Sequence, residues 1–239
     1  MPNPWGFFSV RMKVAVLIDG GFFLKRLPSV ASDVDPADAE AVAKSIRLLV
    51  ENHLRHIHRH HDAKTHWELL YRSFYYDAVP LVSKAHRPVS KTAIDYGRTD
   101  AARFRLALFE QLRKTPNMAV RLGETHVERQ WVLTERAQKD LLTERRVWAD
   151  LTDADFHPGI VQKAVDMRLG LDIASLTLKQ QASTIILVTG DSDFVPAAKL
   201  ARREGVRIVL DPLWQTVRDS LFEHIDGLYS AMPKPRRTQ

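Results

Sequence analysis

TIILVTGDSDFVPAAKLARREGVRIVL, residues 184 to 210, decides the fold. Thr184 to Thr189 is an uncharged run rich in β-branched residues, the pattern of a strand buried on both faces. Phe194 to Glu204 has helical spacing and is stopped by Gly205. Val206 to Leu210 is a second buried strand. Strand, helix and strand in so short a span form a βαβ unit, which implies a parallel sheet. Two carboxylates, Asp191 and Asp193, fall where the first strand ends and the helix begins. In one reading Ser192 or Asp193 only caps that helix, with Pro196 in its first turn. In the other they are half of a metal site.

The same grammar extends outward. Val14 to Ile18 (VAVLI) reads as a central strand that stops at a tight turn, Asp19-Gly20-Gly21. Pro36 to Arg59 reads as a helix, with Ala39, Val42, Ala43, Ile46, Leu49, Val50 and Leu54 on one stripe. Trp67 to Tyr76 is strand-like and closes on Asp77. Residues 78–97 read as a long loop, Thr99 to Lys114 as a basic amphipathic helix, and Met118 to Leu122 as a strand. An insertion is expected around residues 123–157, a long helix over Gly159 to Gln181, and a last helix over residues 215–225. The expected fold class is α/β, with a central, mostly parallel sheet between two helical layers. Such sheets bind ligands at the carboxyl ends of strands, near a topological switch point. Asp19 and Asp191 both sit at such ends.

Composition narrows the chemistry. The chain has 239 residues, 45% of them hydrophobic, enough for a sizeable core. It has no cysteine, which excludes a disulfide scaffold, a thiolate zinc site and a cysteine nucleophile. Lys and Arg outnumber Asp and Glu by 35 to 29, a net charge of +6 that favours polyanionic partners. No apolar run reaches the roughly 18 residues of a membrane helix. The start, MPNPWGFFSVRMK, lacks the core of a signal peptide. The expectation is a cytoplasmic protein without membrane partners, with a flexible lead-in over 1–12, one domain over 13–230 and a basic tail over 231–239. A homo-oligomer is left open.

A third group of acids comes from QKAVDMRLGLDIASL, residues 162–176. At 100° per residue Val165, Leu169, Ile173 and Leu176 form an apolar stripe. Asp172 lies within it and Asp166 on its edge. A right-handed crossover starts this helix at the carboxyl edge of the sheet, so Asp166 is expected close to Asp19 and Asp191. Asp172 lies about 9 Å further along. Buried carboxylates need a proton, a basic partner or a metal. Hard cations such as Mg²⁺ or Mn²⁺ suit converging carboxylates.

These residues carry a resemblance. VAVLIDGGFFLKRL, YRSFYYDAVPL, VSKTAIDYGRTDAARFR, MAVRLGE, QKAVDMRLGLDIASL and TGDSDFVPAAKLARREG occur in the order of the NYN domain family, the LabA-like branch of the PIN-like nucleases. The match spans nearly the whole chain after residue 12. It implies a PIN-like three-layer α/β/α fold and a metal-dependent ribonuclease-type site. By position, Asp19, Asp166, Asp191 and Asp193 match the acidic motif, as catalytic residues and ligands of Mg²⁺ or Mn²⁺. Asp172 matches the second acid of the helix motif. Many relatives carry Asn where this chain has Phe22, and Gly where it has Ala164.

The expected reaction is metal-dependent hydrolysis of RNA phosphodiester bonds, with single-stranded RNA the favoured substrate. Ser192 or Thr189 would hold a water or a phosphate oxygen. Lys84, Arg87, Lys91, Arg98 and Arg103 would guide the RNA backbone. Tyr75, Tyr76 and Tyr96 are candidate stacking residues. Two alternatives stand beside it: a non-catalytic RNA-binding or regulatory module, and a metal-dependent phosphatase. In HLRHIHRHHDAKTH, residues 53–66, His53, His56 and His60 share a helical face that suits a transition metal, but a solvated, weakly basic helix end is the favoured reading.

Overall fold

The computed structural model describes residues 12–61 and 63–235. The expected lead-in, apart from Met12, and residues 236–239 of the expected tail lie outside the described residues. In chain order the elements are β1 (Val14–Asp19), α1 (Gly20–Val30), α2 (Ala39–His58), β2 (Leu70–Ala78), β3 (Lys84–His86), β4 (Ala93–Asp95), α3 (Asp100–Lys114), β5 (Met118–Leu133), α4 (Glu135–Leu142), β6 (Phe156–Lys163), α5 (Val165–Leu178), β7 (Thr184–Val188), α6 (Val195–Arg203), β8 (Arg207–Asp211), α7 (Asp219–Phe222) and β9 (Gly227–Leu228).

Among the described residues, the main sheet runs β6-β5-β2-β1-β7-β8-β9. All neighbours are parallel except β5 and β6. From β1 the chain first builds outward through β2 and β5, then returns to lay β7 on the other side of β1. The switch point therefore lies between β1 and β7, where Asp19 and Thr189 emerge.

Successive strand residues point to opposite faces, and both faces are apolar. On one, Val14, Val16, Ile18, Ile186 and Val188 pack against Phe23 and Leu27 of α1, Ile46 and Leu49 of α2, and Leu108 and Leu112 of α3. On the other, Ala15, Leu17, Ile185, Leu187, Ile208 and Leu210 pack against Leu169, Ile173 and Leu176 of α5 and Ala198 and Ala201 of α6. The result is a three-layer α/β/α architecture. Each fully buried aliphatic side chain contributes about 1.5–3 kcal/mol, so the frame that carries the strand ends is held from both sides.

Several expectations are corrected. Gly20 and Gly21 do not form a turn: they open α1, because the Asp19 side chain caps it by accepting the Phe22 N–H. Pro36 precedes α2, whose cap is Asp38. Residues 78–97 contain the hairpin β3–β4, and β5 runs on to Leu133. Residues 159–163 are strand, not helix: β6 pairs antiparallel with β5, and Ala164, at φ 65, turns the chain into α5. The last helix shrinks to α7. Residues 231–235 do not hang free, since Ala231 and Met232 are buried and the Ala231 N–H donates to Asp211.

The histidine segment is a solvated helix end only from Arg59 on, where His60 and His61 are exposed. His53 is buried and its Nε2 lies 2.8 Å from Asp211 Oδ2. His56 stacks on Tyr229, with ring centres 3.8 Å apart. Tyr75 and Tyr76 are fully buried, so neither can stack on a base.

Candidate acidic active site

The site begins with strand ends. Asp19 is the last residue of β1, and its carboxylate is held by two donors: the Phe22 N–H at 3.0 Å on Oδ1, and the Thr189 hydroxyl at 3.2 Å on Oδ2. Thr189 follows β7 and is fully buried. Its Oγ1 also accepts the Asp191 N–H at 3.2 Å. One hydroxyl thus ties the acid of β1 to the loop that carries the acid of β7. Thr189, expected to hold a water or a phosphate oxygen, is here sealed from solvent, with its hydroxyl shared between these two groups.

Asp191 starts a 3₁₀ turn over Ser192–Phe194, and its Oδ1 accepts the Asp193 N–H at 3.0 Å. The capping work therefore falls to Asp191. Neither Ser192 nor Asp193 caps α6, which begins at Val195 with Phe194 as an uncapped N-cap. Ser192 faces Arg218, whose Nη1 approaches its hydroxyl at 3.4 Å. Asp191 and Asp193 are exposed, and both keep an oxygen free of hydrogen bonds within the described residues.

Asp166 arrives from the other side. β5 overshoots the sheet, β6 returns along it, and Lys163 pairs with Glu124 just beyond the point where β2 stops. The left-handed residue Ala164 then sends α5 back across the face of the sheet, which leaves Asp166 in the first turn at the carboxyl edge. The crossing is close. A Cβ on Gly123 would overlap the Lys163 carbonyl oxygen and lie 2.7 Å from Val165 Cγ2, so only glycine fits.

Asp19 and Asp166 each feel the charges of neighbouring acids. Burial raises the Asp19 carboxyl above its ordinary 3.8, and the charges of Asp77 and Asp191 add to the rise against its two hydrogen bonds. Burial also raises Asp166, and Asp19, Asp191 and Asp193 all repel its charge. Among the described residues no Lys, Arg or His forms an ion pair with any of the four. Unneutralised hard oxygen donors of this kind suit Mg²⁺ or Mn²⁺. No three of them close around a single point among the described residues. Mg²⁺ ordinarily takes one or two carboxylates and keeps several waters, so the donor set fits such an ion.

Asp172 does not belong to this group. Arg121 holds it in a fork, Nε to Oδ2 at 2.8 Å and Nη2 to Oδ1 at 2.5 Å, and the Tyr76 hydroxyl donates to Oδ2 at 2.8 Å. With its charge already met, it anchors α5 to β2 and β5. Sequence reasoning missed a different acid, Asp77, at the end of β2. It is buried, paired with Arg105 of α3, and accepts the Ala78 N–H at 2.8 Å. A strand-ending Asp was the available signal. That signal alone misleads, because Asp211 also ends a strand and is sealed by His53.

Phe22 stands where many relatives carry Asn. Its ring lies over Gly190, where a Cβ would come within 2.8 Å of Phe22 Cε2. The position thus supplies an apolar cover beside Asp19 in place of a polar side chain.

The five cations expected to guide RNA divide into two sets. Lys84, Arg87 and Lys91 line one side of a cavity on the β3–β4 hairpin, closed by Trp131, whose Nε1 donates to the His86 carbonyl at 2.9 Å. Arg98 and Arg103 are on α3 and the turn before it, paired with Asp95 at 3.6 Å and Asp100 at 2.5 Å.

A family model described as the NYN domain matches residues 13–212. A crystal structure of a protein of unknown function from Vibrio parahaemolyticus RIMD 2210633 is similar over 93% of this chain and 94% of that one, at 12% identity and a TM-score of 0.44. No curated protein matches the chain. No helix among the described residues is long and apolar enough to cross a membrane.

Proposed function

The chain belongs to the NYN domain family of the PIN-like superfamily, and from that premise we propose that it is a metal-dependent ribonuclease whose centre is the cluster Asp19, Asp166, Asp191 and Asp193. NYN domains are generally RNase-like hydrolases that act on RNA. The observation that carries the reading for this chain is that Asp19 ends β1, Asp191 and Asp193 follow β7 and Asp166 opens α5, all at the carboxyl edge of the sheet, and that none of them has a cationic partner among the described residues. A structural acid is normally paired, as Asp172, Asp77 and Asp211 are here.

Asp19, Asp166 and Asp191 would share one or two Mg²⁺ or Mn²⁺ ions, no more than two of them on any one ion, with Asp193 at the rim. When bound, such an ion offsets the charge that develops on the phosphodiester and acidifies water. The protein's own part is to hold the acids in place. Thr189 fixes Asp19 against the Asp191 loop, and α1 presents the Phe22 N–H at its N-terminus to Asp19. Water attacks phosphorus in line, and the bond to the leaving sugar oxygen breaks. Lys84, Arg87 and Lys91 hold the phosphate backbone of the flanking strand. Three cations on one hairpin suit the repeated phosphates of a polymer better than a small phosphoester.

A second reading, an RNA-binding module without catalysis, is favoured by one observation: the apolar Phe22 ring beside Asp19. Incubation of labelled single-stranded RNA with the protein and Mg²⁺ or Mn²⁺ separates the two. The ribonuclease reading expects cleavage that chelator abolishes and that a folded Asp19→Asn variant lacks. RNA binding without metal-dependent cleavage would establish the binding module instead.

A further inference from the structure

Beside the acidic cluster the carboxyl edge opens into another cavity of about 250 Å³, between the loop after β2, the first turns of α3 and the β5–β6 ribbon. Drug-sized ligands occupy roughly 300–1,000 Å³. This space therefore suits a single ring system and not a whole nucleotide. Its walls are apolar, with Pro80, Leu81, Ile160 and Tyr96. Four polar side chains line it: the Thr99 and Thr125 hydroxyls already donate to the Tyr96 and Val79 carbonyls, which leaves Arg105 and, exposed at the rim, Gln162.

Both have spare hydrogen-bonding capacity. Arg105 gives one N–H to Asp77, and its guanidinium carries five donors. Gln162 makes no side-chain hydrogen bond among the described residues and offers an acceptor and two donors. The cavity also lies within reach of the acids. Arg105 binds Asp77 at the end of β2, and Asp19 pairs in register with Tyr76 on that strand. Adjacent strands lie about 4.8 Å apart, so the separation is on the scale of one nucleotide.

We propose that this cavity is a nucleobase subsite for RNA, taking the base next to the cleaved phosphate and selecting uracil or guanine. The inference rests on the ribonuclease reading above. Keto bases place a carbonyl acceptor beside a ring N–H donor. The arginine, which only donates, meets the carbonyl, and the Gln162 amide oxygen meets the N–H. Adenine and cytosine carry acceptor and donor in the reverse order, and the direction of the strand fixes which way up a base enters, so the arginine meets an amino group that it cannot bond. Single-stranded RNA is commonly read this way, through splayed bases bonded along their Watson–Crick edges.

The test measures binding of hexauridylate and hexaadenylate to the metal-free protein, and Mn²⁺-dependent cleavage of the same oligonucleotides. Wild type is compared with Gln162→Leu and with the cavity-filling Leu81→Trp. Arg105 is left intact, because its removal strands the buried Asp77. Hexauridylate is expected to bind at least about tenfold more tightly than hexaadenylate, from one edge-reading pair. The preference should vanish in Gln162→Leu and in Leu81→Trp, while both variants still bind Mn²⁺ as wild type does. Equal binding of the two oligonucleotides, or a preference that survives both substitutions, overturns the subsite. Metal-dependent cleavage without base preference rejects the subsite alone and leaves the nuclease standing. Base-selective binding that Gln162→Leu abolishes, without cleavage, supports the subsite and rejects the nuclease.

Discussion

Replacing Thr189 by Val tests the link between the two acid-bearing strands. The side chain is fully buried and the new one has the same shape, so no cavity opens. What is lost is the hydroxyl donated to Asp19 and accepted from the Asp191 N–H, each at 3.2 Å. A hydrogen bond to a charged acceptor is worth about 1.5–3 kcal/mol. Asp191 is exposed, so its freed N–H can turn to water and adds little. The expected loss is therefore about 1.5–3 kcal/mol, in the lower half because both bonds are long. For a chain of this size about 2–4 °C accompanies each kcal/mol, which for that lower half gives a fall in Tm of roughly 3–9 °C. Urea denaturation of the metal-free protein at pH 7 reads the first number and calorimetry the second. Mn²⁺ affinity should fall as well, since Asp19 and the Asp191 loop lose their common tie. A stability change under about 0.5 kcal/mol with unaltered Mn²⁺ binding would refute the reasoning.

Ala164 sits at φ 65, so Ala164→Gly should be neutral or stabilising by up to about 1 kcal/mol, whereas Ala→Gly inside a helix costs about that much; thermal denaturation distinguishes the signs. The pH dependence follows from carboxyls raised on folding. Asp19, Asp77 and Asp166 bind protons more tightly in the folded state, so their contribution to metal-free stability is present at low pH and lost as pH rises from 3.8 through the raised values. Protons compete with a cation at Asp19 and Asp166, so Mn²⁺ should raise Tm more at pH 7 than at pH 4; an equal shift at both would contradict the linkage. Neutralising Lys84, Arg87 and Lys91 together should lower the salt slope of RNA binding by roughly 2, at about 0.7 per charge for single strands. The same treatment of Arg98 and Arg103, already paired with Asp95 and Asp100, should change it less. Binding measured across salt concentrations checks both.

The buried strands were legible because both faces of β1, β7 and β8 are covered, which leaves uninterrupted apolar runs. Those runs put Asp19 and Asp191 at strand ends, and the helical stripe put Asp166 near them. What failed depended on contacts distant in sequence. Residues 159–163 have the apolar spacing of a helix, and only pairing with β5 makes them strand. Gly20-Gly21 looks like a turn until Asp19 caps α1. Asp172 and Asp166 share one helix and look alike in the sequence; Arg121, 51 residues from Asp172, separates their roles. The pairing of Asp77 with Arg105 and of Asp211 with His53 is equally invisible to local pattern.

The central claim concerns which carboxylates act on a cation, and calorimetric titration with Mn²⁺ at pH 7 addresses it most directly. Wild type, Asp191→Asn and Asp172→Asn are compared, each first shown to be folded. The account predicts binding by wild type, a loss of at least about tenfold in Asp191→Asn, and no change in Asp172→Asn, whose carboxylate is already held by Arg121 and Tyr76. Absence of Mn²⁺ binding in wild type, or an equal loss in the two variants, would contradict it.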